Sequence, residues 1–593
     1  MRFRSQPADG YVINAVTGVN TISFAIDATA ADTDGLLGFA VERFDPKAGE
    51  RYFMNGFKVF ASVIPAPIQE TYVTTRDHPV QSFVWDDFTA KPGQDYTYFF
   101  HPLKGVPKNV DRSAAPVAID VRTEPLYTRG RHDVFFNRGV ASSQAYARRF
   151  GNMRPDDLKP ASKRQEALDW LSRDLDDALL KFIGRAKAGD TLLCCFYEFH
   201  YDPVLKALKA ALRVGVDVQI IIDAKVNQHT DDEGFHESFP RLVNRRASAA
   251  AGLPEERIHE REARRSTIQH NKFIVLLKGA ERRPSEVWTG STNLSTGGIH
   301  GQTNVGHWVR DRATAERFTA YWDLLVTDPG GDHDDDLATV KRKNAALRAA
   351  VAGLGPAPAR LEDVTPGITT VFSPRSGREV LDLYFTLVDR ANDLACITLA
   401  FGINADFKRL VADNTPHDAV LFFLLEKRDA PTAKTKDTFV FVGARQNIYQ
   451  AWGSFLDEPL HQWARETTAG LLGLNRHVSF IHSKFLLRDP LGPDPLVVTG
   501  SANFSVASTN DNDENMLLIR GDRRVADIYF TEFNRLFNHY YFRSVMQSLK
   551  RRGADPDNDA NLFLAEDDRW LKKYAPGSLR SKRVALFTDM AVD

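Results

Sequence analysis

The chain has 593 residues, which is too many for one ordinary hydrophobic core and predicts three or four domains. Hydrophobic residues make up 43% and charged residues 26% of the sequence, as is usual in a water-soluble globular protein. The 76 lysines and arginines nearly balance the 77 acidic residues. Composition therefore excludes a strong overall attraction to nucleic acid, although a local basic groove is still compatible with it.

The first residues show no secretory signal, and the cysteines show no disulfide pattern. The first sixteen residues lack the apolar stretch of a secretory signal, and no run of about 18 apolar residues predicts a transmembrane helix. We therefore expect a cytoplasmic protein, and a mature form whose signal has been removed is the alternative. Cys194, Cys195 and Cys396 lie in apolar strand-like runs and are predicted to be buried thiols, neither disulfide-bonded nor metal-bound.

The first 125 or so residues predict an all-β domain. Short segments of alternating apolar and polar residues are separated by turns rich in proline and glycine, which is typical of an antiparallel β-sandwich. The runs at 38–45 (GFAVERFD) and 93–105 (GQDYTYFFHPLKG) resemble strands of a fibronectin type III module. The predicted strands cover residues 21–26, 37–44, 82–85, 96–100 and 117–121.

From about residue 130 strands alternate with helices, and the same order of elements occurs twice. Each copy opens with a short strand, at 133–139 or 370–377, and continues with a helix and buried apolar strands. A strand with a histidine, a Gly-Ser-x-Asn turn, a final strand and an aromatic-rich helix complete each copy. A match of this length predicts a duplication with a mixed α/β sheet in each half, joined by a flexible segment at 353–359.

The predicted fold is therefore multidomain, with a β-sandwich followed by two α/β halves. The sandwich is assigned to residues 1–128, the first half to 129–345 and the second half to 346–593. Loops at 227–248 and 429–436 are expected to cover the functional site and to set the choice of substrate.

Two His-x-Lys motifs carry the predicted chemistry. On a strand, residues i and i+2 point to the same side, so the histidine and lysine of each motif face one direction. A lone motif of this kind is usually a solvated strand face, but these two are flanked by apolar residues and occur once per repeat. The candidate residues are His270, Lys272, Ser291 and Asn293 in the first copy and His482, Lys484, Ser501 and Asn503 in the second.

Two imidazoles, two ammonium groups and two amides directed at one point suit a phosphate group. One histidine can attack phosphorus covalently, and the other can protonate the leaving oxygen. The lysines and asparagines can stabilise charge on the equatorial oxygens. No metal and no other cofactor is therefore expected.

These motifs resemble the signature of the phospholipase D superfamily, which is His-x-Lys, four residues, Asp, and then Gly-Ser-x-Asn. In the second half Asp489 completes the match, and Glu514 stands where the family often places an acidic residue that orients a catalytic histidine. The resemblance covers about residues 130 to 550. It implies that His270 is the nucleophile, which forms a phosphohistidine, and that His482 is the general acid.

The first half departs from this signature. Leu277 occupies the position of the aspartate, and if Asn304 is aligned with Asn515, Thr303 occupies the position of the acidic residue. We therefore expect the acidic supports to serve the second histidine and the first histidine to lack them. The tyrosyl-DNA phosphodiesterase branch of the superfamily also lacks this aspartate, so the resemblance still implies an active enzyme.

The leading functional interpretation is hydrolysis of a phosphodiester, most of all a phospholipid headgroup bond, by a near-neutral chain whose β-sandwich can dock on a surface. A metal-independent endonuclease of the same superfamily is the second interpretation, and transfer of the phosphoryl group to an alcohol shares the same intermediate. A phosphate-binding module without turnover is a third, which Leu277 motivates. Peripheral membrane contact is compatible with this chain, and a monomer suffices because both motifs lie in one polypeptide.

Several charged or aromatic residues near the motifs are weaker candidates. Arg261, Arg264 and Arg265 precede the first motif and are interpreted as a solvated charge run, with guidance of an anionic substrate as the alternative. His307 is interpreted as a packed structural histidine. His300 lies in a glycine-rich loop within reach of the site, and no catalytic role is assigned to it.

Overall fold

The computed structural model describes most of the chain, with gaps that include parts of both predicted substrate loops. Of residues 227–231, 234–238 and 241–242 only the backbone is described, and Arg264 and Arg265 lie outside the described residues. The described ranges are 1–68, 70–224, 227–231, 234–238, 241–263, 267–405, 407–408, 419–429, 447–458, 463–475, 478–551 and 562–593.

The N-terminal region consists of two antiparallel sheets, as the alternating pattern predicted. Their inward side chains, among them Phe24 of one sheet and Tyr98 of the other, share one apolar core. In the strand at 117–122 buried and exposed residues alternate strictly, and the three buried residues are all apolar. One sheet has the order β1 (Arg2–Arg4), β2 (Tyr11–Thr17), β3 (Ile22–Ala28), β6 (Val84–Asp87), and the other joins β4 (Gly38–Asp45), β5 (Glu50–Phe53), β7 (Asp95–Val106), β8 (Asn109–Asp111) and β9 (Val117–Arg122).

The end of the chain packs onto this N-terminal region. Trp570 lies in the core of the two N-terminal sheets, and its Nε1 donates a hydrogen bond to Leu36 O at 2.9 Å. The predicted boundary between residues 345 and 346 falls inside the helix Leu337–Gly353. The division into three consecutive domains stays a prediction.

A mixed seven-stranded sheet follows. We call this sheet and its connecting segments the first half. β11 pairs with β12 in parallel and with β16 antiparallel, so the predicted mixed sheet is confirmed. All six residues of β11 are buried, as its continuous apolar run requires. The sheet has the order β10 (His132–Phe136), β18 (Val305–Val309), β17 (Arg283–Gly290), β16 (Lys272–Lys278), β11 (Thr191–Phe196), β12 (Asp217–Asp223), β15 (Ile258–Arg261), and β13 (Asn227–Asp231) pairs separately with β14 (Gly234–Ser238).

A second mixed seven-stranded sheet has the same strand order as the first. We call this sheet and its connecting segments the second half. When the strands of each sheet are numbered one to seven in chain order, both sheets have the spatial order 1-7-6-5-2-3-4. Strands at equivalent positions can therefore be compared directly. The second sheet has the order β19 (Gly367–Ser373), β25 (Glu514–Arg520), β24 (Leu496–Gly500), β23 (Phe485–Arg488), β20 (Leu394–Leu399), β21 (Val420–Leu425), β22 (Ile448–Trp452).

Helices cover the sheets and begin at recognisable caps. The helix at 312–325 begins after Asp311, whose carboxylate accepts the N–H of Thr314 at 2.9 Å. None of the helices in the described part of the chain has the length and apolar character needed to cross a membrane. The helices are Gln144–Phe150, Ala161–Ser172, Leu175–Ile183, Asp202–Arg213, Arg241–Ala251, Arg312–Leu325, Leu337–Gly353, Glu379–Asp389, Val506–Asn510, Arg523–Arg551 and Leu579–Thr588, with shorter turns at Pro155–Asp157, Glu255–Arg257, Gly297–Gly301, Leu361–Asp363 and Asp568–Tyr574.

The two halves share one apolar core, which places their equivalent edges side by side. The ring centroids of Tyr321 and Phe372 lie 4.4 Å apart, and those of Phe136 and Phe485 lie 5.9 Å apart. Each pair joins one residue of the first half to one of the second, and all four side chains belong to the same buried cluster. Because this packing brings β16 next to the second half, residues at the start of the strand can contact groups of both halves.

Buried polar residues also connect the halves. His132 Nδ1 lies 2.9 Å from His307 Nε2, and His307 Nδ1 lies 3.1 Å from the hydroxyl of Tyr529. Burial lowers the pKa of His132 to about 4 and that of His307 well below 6.5. These contacts agree with the interpretation of His307 as a packed structural histidine. The three cysteines are buried free thiols.

Candidate active site

The two His-x-Lys motifs occupy equivalent positions in the two sheets. Lys272 opens β16 and Lys484 directly precedes β23. His270, Lys272, His482 and Lys484 are all buried, with at most 6% of each residue exposed. Each lysine Nζ donates a hydrogen bond to the carbonyl of the histidine in its own motif, at 2.7 Å in the case of Lys484. The spacing of two residues therefore fixes both side chains as one unit.

A short backbone bridge fixes the first motif against the second half. His270 N donates to Asp513 O at 2.9 Å, and Asp513 N donates to Ile268 O at 3.0 Å. The next residue, Glu514, lies against the imidazole, with its two carboxylate oxygens 2.9 and 3.0 Å from His270 Nδ1. Ser501 Oγ donates to the same carboxylate at 2.7 Å. The first histidine is therefore oriented by an acid of the second half.

The second motif is fixed in the same way but has a different partner. Thr303 N donates to Phe480 O at 2.8 Å, and His482 N donates to Thr303 O at 3.2 Å. The next residue, Asn304, places its Oδ1 2.9 Å from His482 Nδ1 and accepts a hydrogen bond from Ser291 Oγ at 2.8 Å. Because an amide oxygen only accepts, His482 carries its proton on Nδ1 and presents Nε2 to the site.

These contacts correct the alignment of the two halves. In each half the serine of the Gly-Ser turn donates to the side chain 13 residues later. Asn304, and not Thr303, is therefore the counterpart of Glu514. The prediction that Glu514 supports His482 is wrong, because its carboxylate contacts His270. The expectation that the first histidine lacks an acidic support is wrong for the same reason.

The asparagines of the two Gly-Ser-x-Asn turns have unused hydrogen-bonding capacity. The Oδ1 atoms of Asn293 and Asn503 are buried and accept no hydrogen bond within the described part of the chain. Buried polar atoms are normally satisfied, so such an atom points to a binding role. Each Oδ1 is therefore available as a hydrogen-bond acceptor to a protonated group that enters the site.

Burial governs the protonation of the first histidine and its acid. Burial, together with the charges of Lys272 and Lys484, lowers the pKa of His270 well below 6.5. Burial also raises the pKa of Glu514 to about 8, although the two lysines act in the opposite direction. The nucleophilic form of this pair carries one proton, held between the Glu514 carboxylate and Nδ1 of His270, and leaves Nε2 free.

The second histidine and the lysines form a buried cluster that favours an anion. Burial and the two lysine charges lower the pKa of His482 well below 6.5. Burial lowers the pKa of Lys272 to about 8 and that of Lys484 well below 10.5, while Glu514 and Glu198 act to raise both. A bound phosphate group would add the missing negative charge and raise the pKa of the lysines and of His482.

Asp489 lies at the end of β23 that is remote from His482. Its carboxylate accepts the backbone N–H groups of Asn392, Asp393 and Leu394 at 3.0, 2.8 and 3.1 Å. These bonds tie the end of β23 to the start of β20. The structure thus places Asp489 in a strand connection, whereas the sequence predicted a support for the catalytic histidine.

Asp190 makes the corresponding connection in the first half, from the opposite strand. Leu277 occupies the position of Asp489 in β16, opposite Thr191. Asp190, directly before β11, accepts the N–H of Gly279 at 2.9 Å and pairs with Lys278 Nζ at 2.9 Å. The ends of the two strands are therefore joined without the motif aspartate, and Leu277 removes no group from the histidine cluster.

We expect Asp489→Asn to lower stability and to leave turnover almost unchanged. An amide has one acceptor oxygen in place of two, so buried N–H groups lose their partner at a cost of about 1–3 kcal/mol. Urea unfolding should detect this loss, while kcat measured well below the transition should stay within about threefold of the wild-type value. A loss of activity without loss of stability would contradict the structural role.

Tyr197 is a contact of the first histidine that sequence reasoning missed. Its ring packs edge-on against His270, with 4.9 Å between ring centroids, and Lys272 Nζ lies 5.3 Å from the tyrosine centroid. Tyr197 N also donates to Asn271 O at 3.0 Å. The signal was available, because Tyr197 directly follows the buried strand that pairs with the motif strand.

Arg261 is buried in ion pairs, so its interpretation as part of a solvated charge run is wrong. Its Nε lies 3.0 Å from Asp513 Oδ2 and its Nη1 lies 2.6 Å from Asp328 Oδ1. The charge of Asp513 and then that of Asp328 raise the pKa of the guanidinium, against the effect of burial. Arg261 therefore helps to hold the backbone that carries Glu514.

Both ring nitrogens of His300 have partners outside the two His-x-Lys motifs. Its Nε2 is 3.3 Å from the hydroxyl of Tyr201, and its Nδ1 is 3.2 Å from Leu168 O. Burial lowers the pKa of His300 to about 4. These contacts leave it neutral and structural at physiological pH.

Comparison with known proteins connects both motifs to one domain family. No curated protein matches the sequence. The chain is similar to the solved phosphatidylserine synthase of Haemophilus influenzae over 70% of its length and 93% of that chain, with 11% identity and a TM-score of 0.41. It is also similar to Nuc from Salmonella typhimurium, a phospholipase D family member. That similarity covers 30% of this chain and 96% of Nuc, with 18% identity and a TM-score of 0.21.

A polyphosphate kinase from Porphyromonas gingivalis is also similar, over 58% of this chain with 11% identity and a TM-score of 0.35. The chain spans 46% of that kinase. The family model described as "Cardiolipin synthase, PLD-like domain" matches residues 179–325 and 444–537. His270 lies in the first of these segments and His482 in the second. Both histidine motifs therefore lie in the segments that are similar to this family model.

Proposed function

We propose that this protein is a metal-independent phosphodiesterase of the phospholipase D type that works through a covalent phosphohistidine. The observation that carries the proposal is the unequal support of two buried histidines. Glu514 contacts Nδ1 of His270, whereas Asn304 contacts Nδ1 of His482. A carboxylate stabilises a histidine that gains positive charge, and an amide fixes orientation without adding charge. The common strand order of the two sheets supports an origin of the site by duplication.

In the first step His270 attacks phosphorus. A bond forms between its Nε2 and phosphorus, and the bond between phosphorus and the leaving oxygen breaks. The imidazole becomes positively charged, and the Glu514 carboxylate at 2.9 Å stabilises that charge. His482 transfers a proton from its Nε2 to the leaving oxygen, after phosphate binding has raised its pKa.

In the second step water completes the reaction. His482, now neutral, accepts a proton from the water as its oxygen bonds to phosphorus, and the bond between phosphorus and Nε2 of His270 breaks. An alcohol in place of water would give transfer of the phosphoryl group. Lys272 and Lys484, with the amides of Asn293 and Asn503, stabilise the equatorial oxygens in both steps.

A phospholipid is the proposed substrate. The net charge of −1 offers no general attraction to polyanions. The loop between β5 and β6 of the N-terminal region exposes Phe57, Ile68 and Tyr72 to 66%, 62% and 67%. Large exposed apolar side chains on one loop are a feature of surfaces that contact protein or lipid. Cleavage of a headgroup bond at a lipid surface uses both this loop and the histidine pair.

A nucleic-acid phosphodiesterase is the second candidate. The observation that favours it is Phe401, which is 71% exposed and lies two residues beyond β20, the strand that pairs with β23. An exposed aromatic ring near a phosphate site can stack on a base. This candidate and the lipid phosphodiesterase differ in substrate and share all the reacting groups.

An assay with a panel of substrates separates these candidates. We expect the purified protein to release choline from phosphatidylcholine vesicles and to form phosphatidylethanol when ethanol is present. Excess EDTA should leave the rate unchanged, because lysines and not a metal supply the positive charge. Cleavage of single- or double-stranded DNA without action on several lipids would favour the nuclease. Saturable phosphate binding with no turnover of any diester would favour the binding module.

A further inference from the structure

A buried carboxylate holds the backbone directly before the second histidine. Glu426 follows β21 and is 4% exposed. Its Oε1 accepts the N–H of Ser479 at 2.8 Å, and its Oε2 accepts those of Phe480 at 3.1 Å and Ile481 at 2.6 Å. These three peptide groups immediately precede His482. Three donors on one carboxylate restrain this segment more than a single bond would.

The restrained segment is also the one that meets the first half. Phe480 O accepts from Thr303 N at 2.8 Å, and Thr303 O accepts from His482 N at 3.2 Å. Asn304, the next residue, holds Nδ1 of His482 at 2.9 Å. A displacement of residues 479–481 would therefore shift the imidazole relative to the amide that orients it.

An equivalent arrangement occurs beside the first histidine. Asp223 ends β12, which occupies the same place in the first sheet as β21 in the second. Its Oδ2 accepts the N–H of Gln269 at 2.7 Å, and Gln269 directly precedes His270. The occurrence of an acid at this place in both halves indicates a role at the site, since overall packing alone does not require it.

The surroundings of Glu426 favour hydrogen bonds over ion pairing. Burial raises the pKa of Glu426 to about 7, and the three N–H donors and the charge of Lys427 act in the opposite direction. Tyr540, on the helix Arg523–Arg551, lies close enough for the charge of Glu426 to add to the burial that raises the pKa of its phenol. The ring of Tyr540 also packs against Phe480, with 5.8 Å between centroids. The peptide groups are therefore the main solvation of this carboxylate.

We propose that Glu426 is a positioning residue for the general acid. Its carboxylate fixes the backbone of residues 479–481 and thereby aligns Nε2 of His482 with the leaving oxygen. Glu426 touches no reacting atom, and the inference rests on the proposed role of His482 in phosphodiester cleavage. The consequence is specific for the first step, which kcat/KM reports, because in that step only substrates whose leaving group needs a proton should depend on Glu426.

The test compares two leaving groups in the variant Glu426→Gln. The carboxamide keeps the size of the side chain and offers one acceptor oxygen to three donors. We expect kcat/KM for release of choline from phosphatidylcholine to fall about 10- to 100-fold. For bis(4-nitrophenyl) phosphate, whose leaving group departs readily without a proton, the loss should be within about threefold. Glu426→Asp, which keeps the charge on a shorter side chain, should give an intermediate loss.

Two control variants define the expected pattern. His482→Asn removes the acid itself and should show the same dependence on the leaving group with a larger loss. Asp223→Asn weakens the hydrogen bond that Asp223 accepts from Gln269, directly before the nucleophile His270. It should therefore slow cleavage of both substrates alike. An equal loss of both substrates in Glu426→Gln would overturn the proposal, because general loosening of the fold does not depend on the leaving group.

Hydrogen exchange supplies a readout that is independent of turnover. Amides of residues 479–482 should exchange faster in Glu426→Gln than in the wild-type protein, while those of residues 268–272 keep their rate. If the wild-type protein cleaves neither diester, the proposed function fails. Hydrogen exchange alone then tests whether Glu426 restrains the backbone of residues 479–481. Unchanged exchange at residues 479–482 would then show that Glu426 does not hold this backbone.

Discussion

Replacing His270 with alanine should lower kcat/KM by about 10⁴-fold or more for every phosphodiester that the protein cleaves. His270 is the histidine whose Nδ1 faces a carboxylate, and its Nε2 forms the bond to phosphorus in the proposed mechanism. No neighbouring group can replace it, because the other imidazole is held by an amide at 2.9 Å. Steady-state kinetics measures the loss, and circular dichroism establishes that the variant is folded.

The companion variant His482→Asn should behave differently. With bis(4-nitrophenyl) phosphate the first step needs little acid catalysis, whereas the second step loses the base that activates water. The phosphorylated protein should therefore accumulate, and mass spectrometry of an alkaline digest should find the phosphoryl group on the peptide that contains His270. A phosphoryl group on His482 in the His270→Ala variant would reverse the assignment of the two roles.

Glu514→Gln should reduce kcat by about 10²- to 10⁴-fold, which is the range for loss of an acid that orients a catalytic imidazole. The glutamine can occupy the same volume beside His270 and Ser501, but it no longer stabilises positive charge on the imidazole. Kinetics with the same two diesters measures the effect. Both should lose rate, because both need the nucleophile.

The stability of this variant separates a catalytic role from a structural one. The pKa of Glu514 is raised to about 8 in the folded protein, mainly by burial. The folded state thus binds this proton more tightly than the unfolded state, so the contribution to stability is present below about pH 4.5 and is lost as the pH rises through 8. Glu514→Gln should therefore gain in stability relative to the wild-type protein between pH 5 and pH 9. A variant that is inactive because it is unfolded would show the reverse.

Asn304→Asp is the matched change on the other histidine. A carboxylate at this position adds negative charge 2.9 Å from Nδ1 of His482 and should raise the pKa of that imidazole. The acidic limb of the pH–rate profile, which reports the nucleophile His270, should move towards lower pH in Glu514→Gln, whereas Asn304→Asp should move the basic limb, which reports the general acid His482, towards higher pH. Equal profiles for the two variants would contradict the unequal support that the structure shows.

The candidate histidines and lysines could be identified from sequence because the pattern that reveals them is local. Two residues on a strand share a face whenever their numbers differ by two, so each motif predicts its own geometry. The neighbouring buried strands could also be predicted from sequence, since their continuous apolar runs are longer than those of a strand with one solvent-exposed face. The two mixed sheets and the N-terminal antiparallel sheets follow from the same local patterns.

The support of each histidine could not be predicted in this way. Glu514 and His270 are separated by 244 residues, and their contact depends on how the two sheets pack. Asn304 was aligned with Asn515 by residue type, which hid its equivalence with Glu514. The spacing of 13 residues from the serine of the Gly-Ser turn was a better guide in both halves.

The family signature also misled in one respect. Asp489 is part of the sequence motif, which suggested a place next to the catalytic histidine. In the structure it binds three peptide groups at the far end of the strand. A residue can thus recur in a motif because it closes a strand connection, and sequence spacing does not distinguish this from chemistry.

The exchange of partners between the halves gives the site a direction. If two identical chains formed such a centre, both histidines would face the same residue, and a diester could be cleaved equally well in either of two opposite poses. Within one polypeptide the two positions are free to differ, and here a carboxylate stands on one side and an amide on the other. In the proposed mechanism a substrate therefore has one productive pose, with the retained phosphoryl group towards His270 and the departing alcohol towards His482. Selectivity for either end of the diester can then evolve in one half without change in the other.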